Sequence, residues 1–544
     1  MTEEYFVGVD VGTGSVRAAL ISKDGKTISL ANNPIQTYKP RDQFYEQSSN
    51  NIWMALCYAV KKVVASVPKE SIKGIGFAAT CSLVVIDKDE SPVTVSPSGN
   101  DEQNIILWMD HRAELEAELI NSTNHKVLKY VGGKISLEMQ APKMIWLKNH
   151  MPGSWARAKL LFDLPDFLTW KATGSESRSL CSLVCKWNYV ASPKENGWNS
   201  DFFDTIGLSD LKENNWKRIG SVIKAPGEPV GSGLSKQAAA ELNLLQGTPV
   251  GTSVIDAHAG GLGMLGCDSP DLSTELTSRL GLICGTSTCH MAVSQKEIFI
   301  DGVWGPYYSA MFPGLWLSEG GQSATGKLID HIIDTHPATF EIYGKLEEKW
   351  HIQQYLHNLL KTMARKENLL NESYLTKDLH VWPDFHGNRS PLADPTLRGM
   401  ISGLSLSSDE ESLAKLYLAT LQAITYGTKH IIEALTLAGH KIEVVLICGG
   451  LSRSELFVQT QADVLGLPVL IPAEKEPVML GAAILGASAG KYSSIQSAIK
   501  AMKSLSNIVK PKAESYPFHS QKYRVFKKMV EDQKSYKRLM DQDL

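Results

Sequence analysis

A single carboxylate stands where an apolar segment meets a stretch of small residues. Asp256 ends a strand predicted for Gly251–Asp256 and precedes the sequence AHAGG. Small neighbours let a ligand approach closely, and partial burial would keep this carboxylate ready to act as a general base. The position also suits the cap of the helix predicted to follow, so both interpretations stay open. His258 has no second metal-ligating side chain four residues on, which is typical of a structural histidine.

A glycine-rich turn near the start of the chain could bind phosphate. The sequence from Gly8 to Ser15 is GVDVGTGS. A dinucleotide-binding fingerprint would need glycine where Arg17 stands, and a helix where a strand is predicted. A tight turn between strands can instead present N–H groups and hydroxyls to phosphates, with Asp10 holding a hydrated Mg²⁺ beside them. The alternative is a plain hairpin whose glycines permit positive φ.

Two further glycine-rich segments require separate interpretations. Residues 321–328, GQSATGKL, match the phosphate-binding P-loop except that Leu328 replaces the hydroxyl residue that binds Mg²⁺. The sequence therefore argues against a P-loop. Gly449 and Gly450 follow an apolar strand, and their bare backbone lets a flat ring or a phosphate approach. The small residues 481–483, Gly-Ala-Ala, predict a helix that another element can approach closely.

The elements that position these residues occur twice. The first 35 residues predict three strands joined by two turns, an antiparallel meander. About half the chain later, strands predicted for Leu280–Cys284 and Cys289–Ser294 flank a second Gly-Thr turn at residues 285–288. This repetition predicts two related halves. The boundary is expected between about residues 257 and 280, where glycines cluster.

Composition excludes several classes of protein. The 544 residues are 43% hydrophobic and 21% charged, with a net charge of −3, which excludes a disordered chain, a collagen and a coiled coil. A near-neutral chain offers no basic field for nucleic acid or anionic lipid, so a small polar partner is expected. The eight cysteines form no Cys-x-x-Cys pair, and Cys181 and Cys185 are predicted to be buried free thiols. With no signal-peptide pattern and no long apolar stretch, the sequence predicts a cytoplasmic protein.

Two charged segments are predicted to be solvated surface helices. One is a helical insertion over about residues 331–378, which includes Glu347, Glu348 and Lys349. The other is the charged tail over residues 506–544. Charge runs of this kind usually mark a solvated helix face.

Together the motifs resemble one family over about residues 5–490. The Asp10–Ser15 turn, the Gly285-Thr286 turn, Asp256 and the Gly449-Gly450 turn, with the small residues 481–483, resemble the FGGY carbohydrate kinases. Several strings look like the ribulokinase branch of that family: ATCSL (79–83), WMDHR (108–112), FDLPD (162–166), CKW (185–187), GGQS (320–323) and FHGNRSP (385–391).

The resemblance implies an α/β fold of two actin-like, ribonuclease-H-like ATPase domains with the active site in the cleft between them. These domains would be residues 1–267, which bind the sugar, and 268–505, which bind the nucleotide. The resemblance also implies an ATP- and Mg²⁺-dependent kinase acting on the terminal hydroxyl of a pentulose, D-ribulose first. Xylulose, L-ribulose or ribitol are alternative acceptors, and a non-catalytic actin-like nucleotide-binding protein is the alternative class. The implied partners are the sugar and ATP, without nucleic acid or membrane, and a homodimer stays open.

The resemblance also implies a role for individual residues. The general base falls on Asp256 and the metal ligand on Asp10. The sugar contacts fall on Thr80, Lys186 and Glu319, with Asp256 itself. The nucleotide contacts fall on Gly12, Thr13, Gly14, Ser15 and Arg17 in a first phosphate loop, on Gly285, Thr286 and Ser287 in a second, and on Gly449 and Gly450 beside the adenosine. Ala78 departs from the family pattern, because an acidic residue is common at its position.

Overall fold

The first half of the chain forms a five-stranded mixed sheet. In the computed structural model, which describes residues 3–269, 271–346 and 351–541, the strand order is β5-β4-β1-β2-β3. The strands are β1 (Tyr5–Val11), β2 (Ser15–Ser22), β3 (Thr27–Pro34), β4 (Ile72–Ala79) and β5 (Val250–Ile255). β1, β4 and β5 are parallel, and β2 and β3 continue antiparallel. The parallel strands are buried along nearly their whole length, as expected of strands covered on both faces.

The second half repeats this topology in a seven-stranded sheet of order β8-β9-β7-β6-β10-β11-β12. Its strands are β6 (Arg279–Cys284), β7 (Thr288–Ser294), β8 (Trp304–Tyr308), β9 (Trp316–Gln322), β10 (Val444–Gly449), β11 (Val469–Pro472) and β12 (Ser506–Val509). The antiparallel set β6-β7-β9 joined to the parallel strands β10 and β11 matches β1-β2-β3 joined to β4 and β5. The predicted pair of related α/β halves is therefore confirmed.

Helices cover these sheets. Seven are used below: α1 (Leu180–Lys186), α2 (Asp256–Leu265), α3 (Gly326–Thr335), α4 (Glu410–Leu437), α5 (Glu455–Leu465), α6 (Pro477–Gly490) and α7 (Tyr516–Asp541). The others span Ser49–Val64, Glu114–Ser122, Gln140–His150, Pro152–Arg157, Leu164–Thr173, Ser200–Thr205, Lys236–Leu242, Ala338–Lys345, Ile352–Lys366 and Ile495–Met502.

Short strands complete the first half and one loop of the second. Glu46–Gln47, Ile105–Ile106, Leu83–Ile86 and Leu160–Asp163 form a four-stranded sheet. Three two-stranded ribbons pair Val190–Ala191 with Asn196–Gly197, Arg178–Ser179 with Ile223–Lys224, and His380–Trp382 with Met400–Ser402.

The two halves exchange one helix each. α2 follows the last strand of the first sheet but packs on β6 of the second, whereas α6 follows β11 but lies across β1, β4 and β5 of the first. Glycine makes this close approach possible, because a Cβ on Gly8, Gly76 or Gly251 would overlap the backbone of α6. α2 and α6 also pack on each other, so the joint between the halves is a crossed helix pair.

The glycine cluster that the sequence assigned to the domain boundary has another role. Gly260, Gly261 and Gly263 lie inside α2 and are buried. A Cβ on Gly263 would overlap the carbonyl oxygen of Pro477, at the start of α6. These glycines therefore let two helices touch rather than loosening a linker between domains, a packing role that glycine can also fill in a helix.

The charged segments are more firmly attached than the sequence indicated. β12 extends the second sheet beside β11, and α7 buries Tyr523, Phe526 and Met529 against Trp382 and Tyr426. In the insertion, the helix Ile352–Lys366 turns one apolar face toward α4. These helices are thus amphipathic, with only their outer faces solvated. Glu347, Glu348 and Lys349 lie outside the described residues.

Candidate active site

Asp10, Thr80 and Asp256 meet at the carboxyl ends of three adjacent parallel strands. Asp10 is next to last in β1, whereas Thr80 and Asp256 directly follow β4 and β5. The pairing sets Asp10 and Val254 on either side of Ala78. Ligands of open α/β sheets bind at this edge. Ala78 is fully buried there and brings no third carboxylate between the two aspartates.

Asp256 is the first residue of α2, not its cap. Ile255 occupies the capping position, and the Asp256 carboxylate accepts a hydrogen bond from the adjacent Ala257 N–H at 2.7 Å. Burial raises the pKa of Asp256 to about 7, and the negative charge of Asp10 adds to the shift. A carboxyl with this pKa exchanges a proton near neutral pH, which is what a general base requires.

Asp10 shares a guanidinium with a carboxylate of the other half. Arg17 Nε donates to Asp10 Oδ2 at 3.0 Å, and Arg17 Nη1 donates to Glu476 Oε2 at 3.0 Å. Asp10 Oδ1 is buried and has no hydrogen-bond partner among the described residues. Burial raises the pKa of Asp10 although Arg17 opposes the shift. A buried carboxylate oxygen without a partner fits a hard cation such as Mg²⁺.

A cluster of opposite charges surrounds Lys186, the last residue of α1. Lys186 Nζ lies 3.4 Å from Glu138 Oε2, and Arg389 Nη2 lies 3.2 Å from the same oxygen. Arg389 Nη2 also lies 3.6 Å from Glu319 Oε1. Both cations pack against the indole of Trp304. The centroid of its ring lies 4.4 Å from Lys186 Nζ and 4.2 Å from Arg389 Cζ.

This charge cluster joins the two halves of the chain. Glu138 and Lys186 come from the first half, whereas Glu319, on β9, and Arg389 come from the second. Burial opposes the charge of Lys186, but the surrounding negative groups, including Glu319 and Glu138, hold its pKa well above its usual range. The pKa of Glu138 is lowered, because Arg389 and Lys186 outweigh its burial. Glu138, Lys186 and Arg389 are therefore charged at neutral pH, and the cluster sets two cations against the carboxyl groups of Glu138 and Glu319.

The first predicted phosphate loop is an open turn. Gly12 N–H donates to Ser15 O at 3.0 Å, and the Thr13 hydroxyl accepts a 3.0 Å hydrogen bond from the Trp108 indole. No described atom lies within 4 Å of where a Cβ on Gly14 would be, and neither Gly12 nor Gly14 has positive φ. The glycines are therefore not required by the turn itself, and they leave space beside it for a ligand.

The second loop, Gly285-Thr286-Ser287, is braced by the start of α3. Gly285 N–H donates to Ser287 O at 2.9 Å, and the N–H groups of Thr325 and Lys327 donate to Thr286 O at 2.9 and 3.2 Å. Residues 321–327 do not form a P-loop, because Gly321 lies within β9 rather than in a loop after it. β9, in which this segment begins, carries Glu319 in the charge cluster, and residues 325–327 support the second turn.

Gly449 lies directly beside this second loop. β10 pairs with β6 so that Gly449 is opposite Cys284, the residue before Gly285. Its φ is 87°, and a Cβ would overlap the Cys284 carbonyl oxygen. Only glycine fits this position. Gly450 is exposed and has open space around its Cα among the described atoms.

Sequence reasoning did not assign four of these side chains. Glu138 and Trp304 lie in no recognisable motif, and Glu476 simply precedes the proline that starts α6. Arg389 belongs to the string FHGNRSP, which carried a family signal but no role.

Thr80, a predicted sugar contact, is buried at the end of β4. Its hydroxyl lies 3.3 Å from the Ser82 hydroxyl, and its backbone N–H donates to Val11 O at 3.0 Å.

Comparison with known proteins gives consistent matches over both halves. Residues 5–263 match the N-terminal domain and residues 280–490 the C-terminal domain of the FGGY family of carbohydrate kinases. The chain is 51% identical to human "FGGY carbohydrate kinase domain-containing protein" over 99% of this chain and 98% of that protein. It is 41% identical to a Saccharomyces cerevisiae D-ribulokinase, over 92% of this chain and 74% of that protein.

The fold is shared with solved sugar kinases. The crystal structure of xylulose kinase from Rhodospirillum rubrum superposes with a TM-score of 0.77 at 18% identity, covering 98% of this chain and 99% of that one. No helix within the described residues is both long and apolar enough to cross a membrane. Its two matched domains and its full-length relatives show that the chain belongs to the FGGY family of carbohydrate kinases and is an ATP-dependent sugar kinase.

Proposed function

We propose that this kinase phosphorylates the terminal hydroxyl of a ketopentose, with D-ribulose the preferred acceptor. The similarity to the yeast D-ribulokinase over nearly the whole chain carries this proposal. The charge cluster supports it, because two cations balanced by two carboxylates suit a neutral polyhydroxy substrate better than a sugar acid.

The acceptor would lie between Asp256 and the charge cluster. Asp256 would accept the proton of the attacking hydroxyl as the oxygen–phosphorus bond forms. Lys186 would donate hydrogen bonds to other sugar hydroxyls, and Glu319 would accept them, while Thr80 limits the pocket at the end of β4. Such fixed partners orient the hydroxyl and lower the entropic cost of bringing it to the phosphoryl group.

ATP would lie across the glycine turns. Backbone N–H groups at Thr13, Gly14 and Ser15 and at Thr286 and Ser287 would bind its phosphates, in turns that the N–H groups of Gly12 and Gly285 close. Gly449 and Gly450 would face the adenosine. Asp10 would hold Mg²⁺, which neutralises phosphate charge when bound. Arg17 would exchange part of its ion pairing with Asp10 and Glu476 for phosphate. Transfer in a closed cleft keeps water from the phosphoryl group.

Turnover of a panel of acceptors tests the substrate. ADP release by the purified enzyme is measured with D-ribulose, L-ribulose, D-xylulose, ribitol, glycerol and gluconate. D-Ribulose should have the highest kcat/KM, because a site built to bind particular hydroxyls strongly rejects analogues that leave its partners unpaired. Phosphorus NMR of the product should place the phosphate on the terminal oxygen.

A best substrate among ribitol, glycerol and gluconate would contradict the ketopentose assignment while leaving the kinase family intact. The cytoplasmic location and the homodimer remain predictions from the sequence. Sedimentation equilibrium of the purified chain gives its mass in solution and so tests the homodimer.

A further inference from the structure

A second group of side chains with chemical potential lies directly behind the acceptor site. Cys181 and Cys185 are one helical turn apart on α1, and His258 is on the first turn of α2. Their Sγ and imidazole nitrogen atoms all lie within 4.8 Å of one another, and Cys185 Sγ lies 3.4 Å from His258 Nε2. All three side chains are buried. The kinase chemistry proposed above uses none of them.

A carboxylate lies beside this group, next to its imidazole. Glu319 Oε2 lies 3.7 Å from His258 Nε2, and it has no hydrogen-bond partner among the described residues. Tetrahedral Zn²⁺ binds sulfur at about 2.3 Å and nitrogen or oxygen at about 2.0–2.2 Å, so its donors lie roughly 3.3–3.8 Å apart. The distances from His258 Nε2 to Cys185 Sγ and to Glu319 Oε2, 3.4 and 3.7 Å, fall within that range.

We propose that Cys181, Cys185 and His258 form a binding site for a thiophilic divalent cation of the Zn²⁺ class, toward which Glu319 would turn as the fourth ligand, so that occupation excludes the sugar. Two sulfurs, one imidazole and one carboxylate are a donor set for Zn²⁺ or Co²⁺, whereas Mg²⁺ requires oxygen ligands. This site is therefore separate from the Mg²⁺ position at Asp10.

Ion and sugar compete because they need the same carboxylate. This competition rests on the proposed function, in which Glu319 Oε1 and Oε2 serve a sugar hydroxyl. Binding releases one proton from each of the two thiols, so two metal–sulfur bonds form as two protons leave.

Co²⁺ is the probe, because a tetrahedral thiolate site gives it sulfur-to-metal charge-transfer bands and intense visible bands. The full-length enzyme, stripped by chelator and free of sugar and nucleotide, is titrated with CoCl₂ and then with ZnCl₂. We expect one equivalent of Co²⁺ to produce both sets of bands and Zn²⁺ to bleach them. Cys185→Ser and Cys181→Ser should each weaken Co²⁺ binding by at least about 100-fold. Loss of a residue that only supports a ligand can already cost that factor, and these substitutions remove a ligand itself.

Cys57→Ser is the matched control, because Cys57 is a half-buried cysteine on a helix outside this group. It should bind Co²⁺ as the unaltered enzyme does. X-ray absorption of the Zn²⁺-loaded enzyme counts the sulfur ligands without any substitution, so the test survives a variant that fails to fold. Two sulfurs are expected.

Absence of thiolate bands, bands that survive both cysteine substitutions, or a sulfur-free first shell would overturn the site. D-Ribulose at a saturating concentration should displace the ion, and bands that persist there would overturn the competition. The acceptor panel is measured on metal-free enzyme, so failure of the ketopentose assignment appears in that assay and not in the Co²⁺ spectrum.

Discussion

At Asp256 the burial that favours catalysis is unfavourable for the folded state. The carboxyl has lost most of its water and lies near Asp10, and together these raise its pKa to about 7. A base with this pKa is only partly ionised at neutral pH, and its ionised form binds a proton well. The same shift means that the ionised carboxylate destabilises the folded state relative to the unfolded chain, in which water solvates it.

Asp256→Asn tests the catalytic role. Asparagine keeps the shape and can still accept the Ala257 N–H hydrogen bond, but it cannot take up a proton. General-base catalysis contributes about 10²–10⁴-fold, so kcat should fall by that factor. The affinity for Mg·ATP, measured by calorimetry, should hardly change, because the phosphates are assigned to backbone turns. A kcat within tenfold of the unaltered enzyme would remove Asp256 from this role.

The same substitution should stabilise the protein above neutral pH. In the unfolded chain the carboxyl titrates near 3.8, and in the folded chain near 7. The folded state therefore binds the proton more tightly, and the stability that this proton contributes is lost as pH rises from about 4 to 7. Asp256→Asn should melt higher than the unaltered enzyme at pH 8 and equally at pH 4. Equal melting temperatures at both pH values would contradict the pKa shift.

Glu138 is expected to affect sugar binding indirectly, because it holds Lys186 and Arg389 in position. Glu138→Gln leaves Lys186 and Arg389 with one carboxylate between them, which disturbs the donors proposed for the acceptor. A hydrogen bond to a charged group contributes about 1.5–3 kcal/mol, so the KM for sugar should rise about 10–100-fold while that for ATP stays within about threefold.

The exposed ion pair of Glu176 with Lys217 provides the control for Glu138→Gln. Both side chains are more than 40% exposed, so Glu176→Gln should leave both KM values unchanged. Equal rises in the KM for sugar and for ATP in Glu138→Gln would indicate a general disturbance of the fold.

At the scale of elements, the crossing of α2 and α6 depends on a few residues without side chains. A Cβ on Gly481 would overlap the carbonyl oxygen of Ala259 in the other helix. Gly481→Ala should therefore destabilise the protein by about 1–3 kcal/mol, as overpacking does. Thermal unfolding followed by circular dichroism measures this loss.

Gly153→Ala is the matched control for this helix contact. Gly153 is exposed in the helix Pro152–Arg157, and no described atom lies within 4 Å of its added Cβ. With space available, alanine should stabilise by about 0.4–1 kcal/mol. Two substitutions of the same type should thus shift the melting temperature in opposite directions, and equal shifts would contradict the close contact of α2 with α6.

These elements also show what the sequence can and cannot predict. Strand–turn–strand patterns predicted both meanders, and the small residues 481–483 predicted a close helix contact, because these signals are local. Which helix Gly481 touches, and that Gly263 packs against the start of α6, depend on packing between segments far apart in sequence. Glu138 and Arg389 were missed as partners for the same reason, since 251 residues separate them.

At the scale of the whole molecule, the exchanged helices make each half depend on the other. Residues 1–267 contain the first sheet but lack α6, which covers the buried faces of β1, β4 and β5. Residues 268–544 lack α2, which packs on β6. Each half alone would expose a glycine-lined or apolar face that no segment of its own covers.

Unfolding of the complete chain should therefore be cooperative across both halves. Calorimetry of the ligand-free enzyme should show one endotherm, whose calorimetric enthalpy matches its van't Hoff enthalpy, because separating the halves breaks the contacts of both crossed helices. Residues 1–267 expressed alone should lack a cooperative transition, and co-expression with residues 268–544 should restore it together with sugar-dependent ADP release. Two resolved endotherms, or a fragment of residues 1–267 that unfolds cooperatively alone, would show that the helix exchange adds little, and the halves would then be independent domains that merely share a cleft.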